Sequence, residues 1–148
     1  MSLETVLDVV RAHFGRYSRP DDFIDAAHCC ECAEHYAELA DVTVDDLAKE
    51  HVGDGAWDPT CFLTSEGFRY YFPGLARIAT EDRDWLEMLL PRLSGPYVEC
   101  FTADDLALVR QLLDEWWLDE GTSEWTRDAI SNSQFTIHNS CAGTTGES

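Results

Sequence analysis

Between residues 28 and 35 the chain reads His28-Cys29-Cys30-Glu31-Cys32-Ala33-Glu34-His35, three thiols and two imidazoles interleaved with two carboxylates. Two chemistries suit that mixture. Thiolate and imidazole are the donors zinc takes in a tetrahedral site. A thiol pair spaced C-x-x-C, as Cys29 and Cys32 are, serves zinc knuckles and thiol redox motifs alike. On a helix, His28, Cys32 and His35 fall within a narrow arc. His28 and His35 would nevertheless lie about 10.5 Å apart along the axis, at a rise of ~1.5 Å per residue. Such a helix therefore offers local pairs: His28 with Cys32, or Cys32 with His35.

No second C-x-x-C follows, and His13, His51 and His138 stand alone. Cys61, two residues after Pro59, is the best donor from another segment. The metal set is thus Cys29, Cys32, His35 and Cys61, with His28 as an alternative ligand and zinc as the metal. The plainer role for the same groups is packing and capping. Thiol redox chemistry ranks third. A helix beginning near Asp25 would put Cys29 in its first or second turn, where free N–H groups and the dipole favour thiolate. Against it stand Glu31 and Glu34, which raise a neighbouring thiol's pKa, and the lack of any strand pattern. No G-x-S-x-G or H-E-x-x-H occurs, and the Gly53-Asp54-Gly55 turn carries an acid that repels phosphate.

These groups need a scaffold, and the periodicity is helical. Leu3, Val6, Leu7, Val10 and Phe14 follow i, i+3, i+4, i+7, and Gly15 ends that helix. A second helix starts near Asp21, or with Asp25 as its N-cap, and runs to about Leu39. Thr43 caps a third, to Glu50. Ser65 caps a fourth with a stripe of Phe68, Tyr71, Phe72, Leu75 and Ala79. Pro73 interrupts that stripe, which predicts a kink or a break into two short helices. Leu86, Leu89, Leu90 and Leu93 make a fifth, shortened at Pro91 and stopped by Ser94-Gly95-Pro96. The longest helix is expected from the Thr102 cap to Glu120, burying Leu106, Val109, Leu113, Trp116 and Trp117. A short helix follows from Ser123 to Ala129. The expected fold is all-α: a compact single-domain bundle of about six helices over residues 1–130, with a polar, frayed tail over 131–148.

At 148 residues the chain buries enough surface to be stable without metal or disulfide. Six cysteines without a basic, apolar leader after Met1 point to reduced thiols or metal ligands in a cytoplasmic protein. No apolar run approaches the ~20 residues of a membrane span. The formal charge of −19 argues against nucleic-acid or anionic-membrane partners and suits a basic protein. One lysine (Lys49) against nine arginines is most simply the mark of a GC-rich or salt-adapted genome. Acids concentrate at 41–58 and 114–124. The second stretch sets Asp114, Glu115, Asp119 and Glu120 beside Trp116 and Trp117, an aromatic anchor with an acidic rim.

The block at 28–35, then Trp57-Asp58-Pro59-Thr60-Cys61-Phe62, then Ser65-Glu66-Gly67-Phe68-Arg69-Tyr70-Tyr71-Phe72-Pro73, resembles a family of small acidic bacterial proteins. Its blocks are HC-x-EC-x-EH, WDP-x-CF and EGF-x-YY-x-P. The resemblance covers roughly residues 14–79 and departs at Gly74, where alanine is expected. It implies that the cysteine block, Cys61 and the aromatic helix travel together; it implies no activity. The first expectation for function is a non-enzymatic acidic binding protein of the immunity or inhibitor type, acting on a basic protein partner. The second is a zinc-binding regulatory protein; an enzyme comes third.

Overall fold

The structure is a computed structural model that describes residues 2–52 and 58–118, together with 124 and 128. Among these residues it is all-α, with six α-helices and no strand beyond one isolated bridge pairing Ile24 with Leu63. The helices are α1 (Leu3–Phe14), α2 (Cys30–Leu39), α3 (Lys49–Val52), α4 (Ser65–Glu81), α5 (Arg83–Leu89) and α6 (Ala103–Leu112). No helix among the described residues is long and apolar enough to cross a membrane.

Helix α4 is the hub. It packs against α1, α5 and the 3-10 turn Pro96–Val98, and it buries Phe68, Tyr71, Phe72, Leu75 and Ile78. The N-cap is Thr64, one residue earlier than expected, and its hydroxyl accepts the Gly67 N–H. Ser65 turns instead to donate to the Tyr97 carbonyl. The expected break at Pro73 does not occur. An interior proline costs about 3 kcal/mol, but Phe72, Pro73, Gly74 and Leu75 are all buried here, so tertiary packing on both sides of the ring holds the helix together. Gly74 lets the helix approach the 44–47 segment closely. A Cβ there would lie 2.8 Å from the Val44 carbonyl oxygen.

Gly67 makes a second close approach, to the segment just before the cysteine cluster. A Cβ would sit 2.5 Å from the Phe23 carbonyl oxygen, which also accepts the Thr64 N–H at 2.9 Å. In an open helix Gly→Ala stabilises by about 1 kcal/mol. Here the sign is expected to reverse. Gly67→Ala should lower the urea midpoint, with a loss of about 1–3 kcal/mol from overpacking against backbone; a stabilised variant would contradict this docking.

The remaining differences from expectation are local. Helix α2 starts at Cys30, because Asp25 closes a turn of its own instead of capping a helix. Thr43 caps a turn through the Asp46 N–H, and the third helix begins only at Lys49. Helix α5 gives way to a 3-10 turn, Leu90–Ser94, at Pro91. Helix α6 carries the capping box of Thr102 with Asp105, and ends at Leu112 instead of Glu120. A π-helical turn, Leu113–Trp117, follows, closed by Leu118 N–H on the Leu113 carbonyl at 2.8 Å. Among the described residues the longest helix is therefore α4. The loop at 53–57, the helix expected at 123–129 and the tail fall wholly or largely outside the described residues.

Candidate thiol and metal centre

Asp25 organises the approach to the cluster. Its carboxylate accepts the Ala27 N–H at 3.3 Å and its carbonyl the His28 N–H at 3.1 Å. That turn precedes the helix, and Cys29 follows in an extended conformation (φ −166°, ψ 172°) as the N-cap of α2. The Cys29 sulfur accepts the Cys32 N–H at 3.3 Å, so a thiol fills the place usually held by Ser, Thr, Asn or Asp.

At its far end α2 has no basic residue in the last turn. Arg19 supplies one from outside. Its guanidinium donates to the carbonyls of Leu39 and Ala40 and to that of Val42 beyond, while stacking 4.6 Å over the Phe23 ring. The flanks are held by Tyr36 stacked on Phe23 at 4.4 Å and by His35 stacked on Phe62 at 4.5 Å. The helix is clamped, and its N-terminal turn is left at the surface.

On that turn His28, Cys29 and Cys32 converge. The two sulfurs lie 3.4 Å apart, the Cys32 sulfur is 3.6 Å from His28 Nδ1, and the three donor atoms all lie within 4.8 Å of one another. Cys29 and His28 are exposed, whereas Cys32 is 5% exposed beneath them. The spacing fits a tetrahedral ion: Zn–S of about 2.3 Å and Zn–N of about 2.0–2.1 Å put neighbouring donors about 3.5–3.8 Å apart. Small side-chain rotations would bring all three atoms onto one centre.

The same contacts divide the thiols electrostatically. The Cys32 backbone N–H, with help from the His28 and Cys32 side chains, lowers the Cys29 pKa to about 7. Cys32 moves the other way, first through its hydrogen bond with Cys29, then through burial and the negative charges around it. His28 is raised by its hydrogen bond to Cys29. Glu31 works in two directions, its backbone lowering Cys29 and its carboxylate raising Cys32. At pH 7 Cys29 is then more thiolate than a free thiol of pKa ≈ 8.5. Alkylation of Cys29 by iodoacetamide, followed by peptide mass spectrometry, should rise with a midpoint near pH 7 and level off above it. A midpoint at the free-thiol value would remove this polarisation.

The other residues of the expected metal set are elsewhere. His35 is buried one turn further along α2, stacked on Phe62 with Nδ1 3.5 Å from Glu38, and its donor atoms are not among those that converge. Cys61 belongs to a different constellation. It lies in the 3-10 turn Pro59–Phe62, with its sulfur 3.0 Å from Arg92 Nη2 and 3.7 Å from Asp58. His28, the alternative ligand, takes the place given to His35. The Asp25 turn was the signal for this, since an Asp three residues before the cluster can close an Asx-type turn as well as cap a helix.

In the acidic stretch, Asp114 and Glu115 are exposed and Trp116 is 38% exposed. Trp117 is 1% exposed and meets Phe72 edge-on, so it is core and not part of a contact surface. Asp119 and Glu120 lie outside the described residues. Compared with known family models, curated proteins and solved structures, the chain matches none.

Proposed function

We propose that the protein is a metal-dependent regulatory module in which His28, Cys29 and Cys32 hold a soft divalent cation, zinc foremost. The observation that carries this reading is the convergence of two thiols and an imidazole, from one five-residue stretch, within 4.8 Å. Three chain ligands leave a fourth position for water or for a donor on another molecule. His28 sits in the turn before α2 and Cys32 inside the helix, so an ion on both fastens the turn to the helix. That gives the exposed face at 25–32 two states, set by metal. Asp25 and Glu31 add negative charge around it, which raises the local concentration of cations.

Cobalt titration tests the site directly. Metal-stripped protein given Co²⁺ should develop a near-ultraviolet thiolate-to-cobalt charge-transfer band saturating at about one equivalent, since thiolates are soft ligands that bind such ions. Zinc should then displace the cobalt and abolish the band. A titration with no charge-transfer band rejects the reading.

A second reading, an acidic binding protein of the immunity or inhibitor type, is favoured by Trp116. This tryptophan is exposed directly after two exposed acids, Asp114 and Glu115, beside a small cleft that Leu3, Ala79 and Leu86 also line. An aromatic with an acidic rim suits a basic protein, which long-range charge would steer. Reversing the charges of Asp114 and Glu115 should slow association with such a partner and flatten its salt dependence, with helicity unchanged. Unaltered association would exclude this surface.

A further inference from the structure

We propose that Cys29 and Cys32 are also a redox-active dithiol, which exchanges with small neutral or cationic disulfides, Cys29 attacking and Cys32 resolving. This goes beyond metal binding and does not depend on it. The division of labour follows from placement. Cys29 is exposed at the N-cap, where a linear disulfide can approach along the line of attack, while Cys32 is 5% exposed and lies directly beneath it. The sulfurs are 3.4 Å apart and must close to about 2.05 Å in the disulfide. Rotation of the exposed Cys29 side chain supplies that movement without shifting α2. Among the described residues, Cys61 and Cys100 lack such a pairing. Cys61 contacts Arg92 and Asp58, and Cys100 contacts the Ser65 hydroxyl at 3.1 Å.

The exchange balances in two steps. The Cys29 thiolate attacks one sulfur of R–S–S–R; that S–S bond breaks, R–S⁻ leaves, and Cys29 carries S–R. The Cys32 sulfur then attacks Cys29 Sγ, the Cys29–S–R bond breaks, and a second R–S⁻ leaves. The two protons shed by the protein thiols pass to the two departing thiolates. The protein dithiol is oxidised by two electrons and the small disulfide is reduced by two.

Charge selects the substrate. Asp25 and Glu31 are exposed beside the pair, on a chain of net charge −19. An anionic disulfide such as oxidised glutathione is repelled, whereas cystamine, a dication, is attracted.

The test uses chelator-treated full-length protein and intact-mass plus peptide-mapping spectrometry. With 2-hydroxyethyl disulfide or cystamine, the wild type should lose two hydrogens and yield a Cys29–Cys32 cross-linked peptide. Cystamine should react at least about tenfold faster than oxidised glutathione at low salt, and the ratio should shrink as salt screens the field. Cys32→Ser should trap one adduct on Cys29, and Cys29→Ser should leave Cys32 unmodified. The wild-type cross-link is decisive even if a variant folds poorly. Adducts on Cys30, Cys61 or Cys100 without a 29–32 cross-link, or equal rates for the two charged disulfides, would overturn the proposal. Metal stoichiometry is read separately, so protein that binds zinc but forms no cross-link loses this inference alone.

Discussion

Cys32→Ser is expected to strip the protein of zinc, from about one equivalent by elemental analysis to below about a tenth, while Cys61→Ser and His35→Asn keep the full complement. Cys32 is the central donor, with Cys29 Sγ at 3.4 Å and His28 Nδ1 at 3.6 Å. Without it only two ligands remain, on residues adjacent in sequence, and zinc sites rest on three or four. Serine is close in size, and Cys32 supplies little apolar area, so the variant should stay helical. Thermal unfolding adds an independent readout. An ion that binds only the folded state stabilises it by about 2.7 kcal/mol at a hundred times its Kd. Added zinc should therefore raise the wild-type Tm and leave that of Cys32→Ser where it was. Loss of zinc from Cys61→Ser would instead join Cys61 to the site and overturn the assignment of His28.

The reason that His28 displaces His35 shows where sequence reasoning reaches its limit. Periodicity located α1, the start of α6 and the halt at Pro91, because each depends on residues within one turn: Ser2 and Gly15, Thr102 with Asp105, Pro91 itself. The start of α2 depends on the same kind of local signal, but an Asp can cap a helix or close a turn, and Asp25 closes a turn. The continuity of α4 is different in kind. It rests on the burial of Pro73 and on the close approach of Gly74 to Val44 and Leu47, which no window around the proline contains. The π turn is subtler still. One extra residue before Leu118 rotates Trp117 inward to Phe72 and leaves Trp116 at the surface, so two adjacent tryptophans read as a pair have opposite roles. Arg19 and Arg92 were invisible for a related reason. Each serves a segment tens of residues away, and arginine in a chain of this charge reads as solvated surface.

Arg92 carries the second large effect. Its guanidinium is 8% exposed, donates to Asp58 and Thr60 at 2.8 Å each, contacts the Cys61 sulfur, and lies 5.0 Å from the Trp85 ring. Asp58, also buried, accepts from the Thr60 N–H and hydroxyl as well, so the pair pins the 3-10 turn Pro59–Phe62 to the Leu90–Ser94 turn. Arg92→Met strands the Asp58 carboxylate out of water. Breaking a buried pair this way costs about 3–5 kcal/mol, a large share of the roughly 5–15 kcal/mol that holds a domain folded. Arg92→Lys should recover only part of this, since an ammonium lacks the fork that reaches Asp58 and Thr60 together. Adding Asp58→Asn to Arg92→Met should restore stability relative to the single variant, because the uncompensated charge is gone. Urea unfolding of the four proteins measures each term. The turn also carries Phe62 beneath His35, so the loss loosens one flank of α2. The donors His28, Cys29 and Cys32 lie in a single segment, however, and zinc stoichiometry in folded Arg92→Met should stay at about one. A destabilisation below about 1 kcal/mol would place the pair among surface-like ion pairs, and its role in pinning the turn would have to be given up.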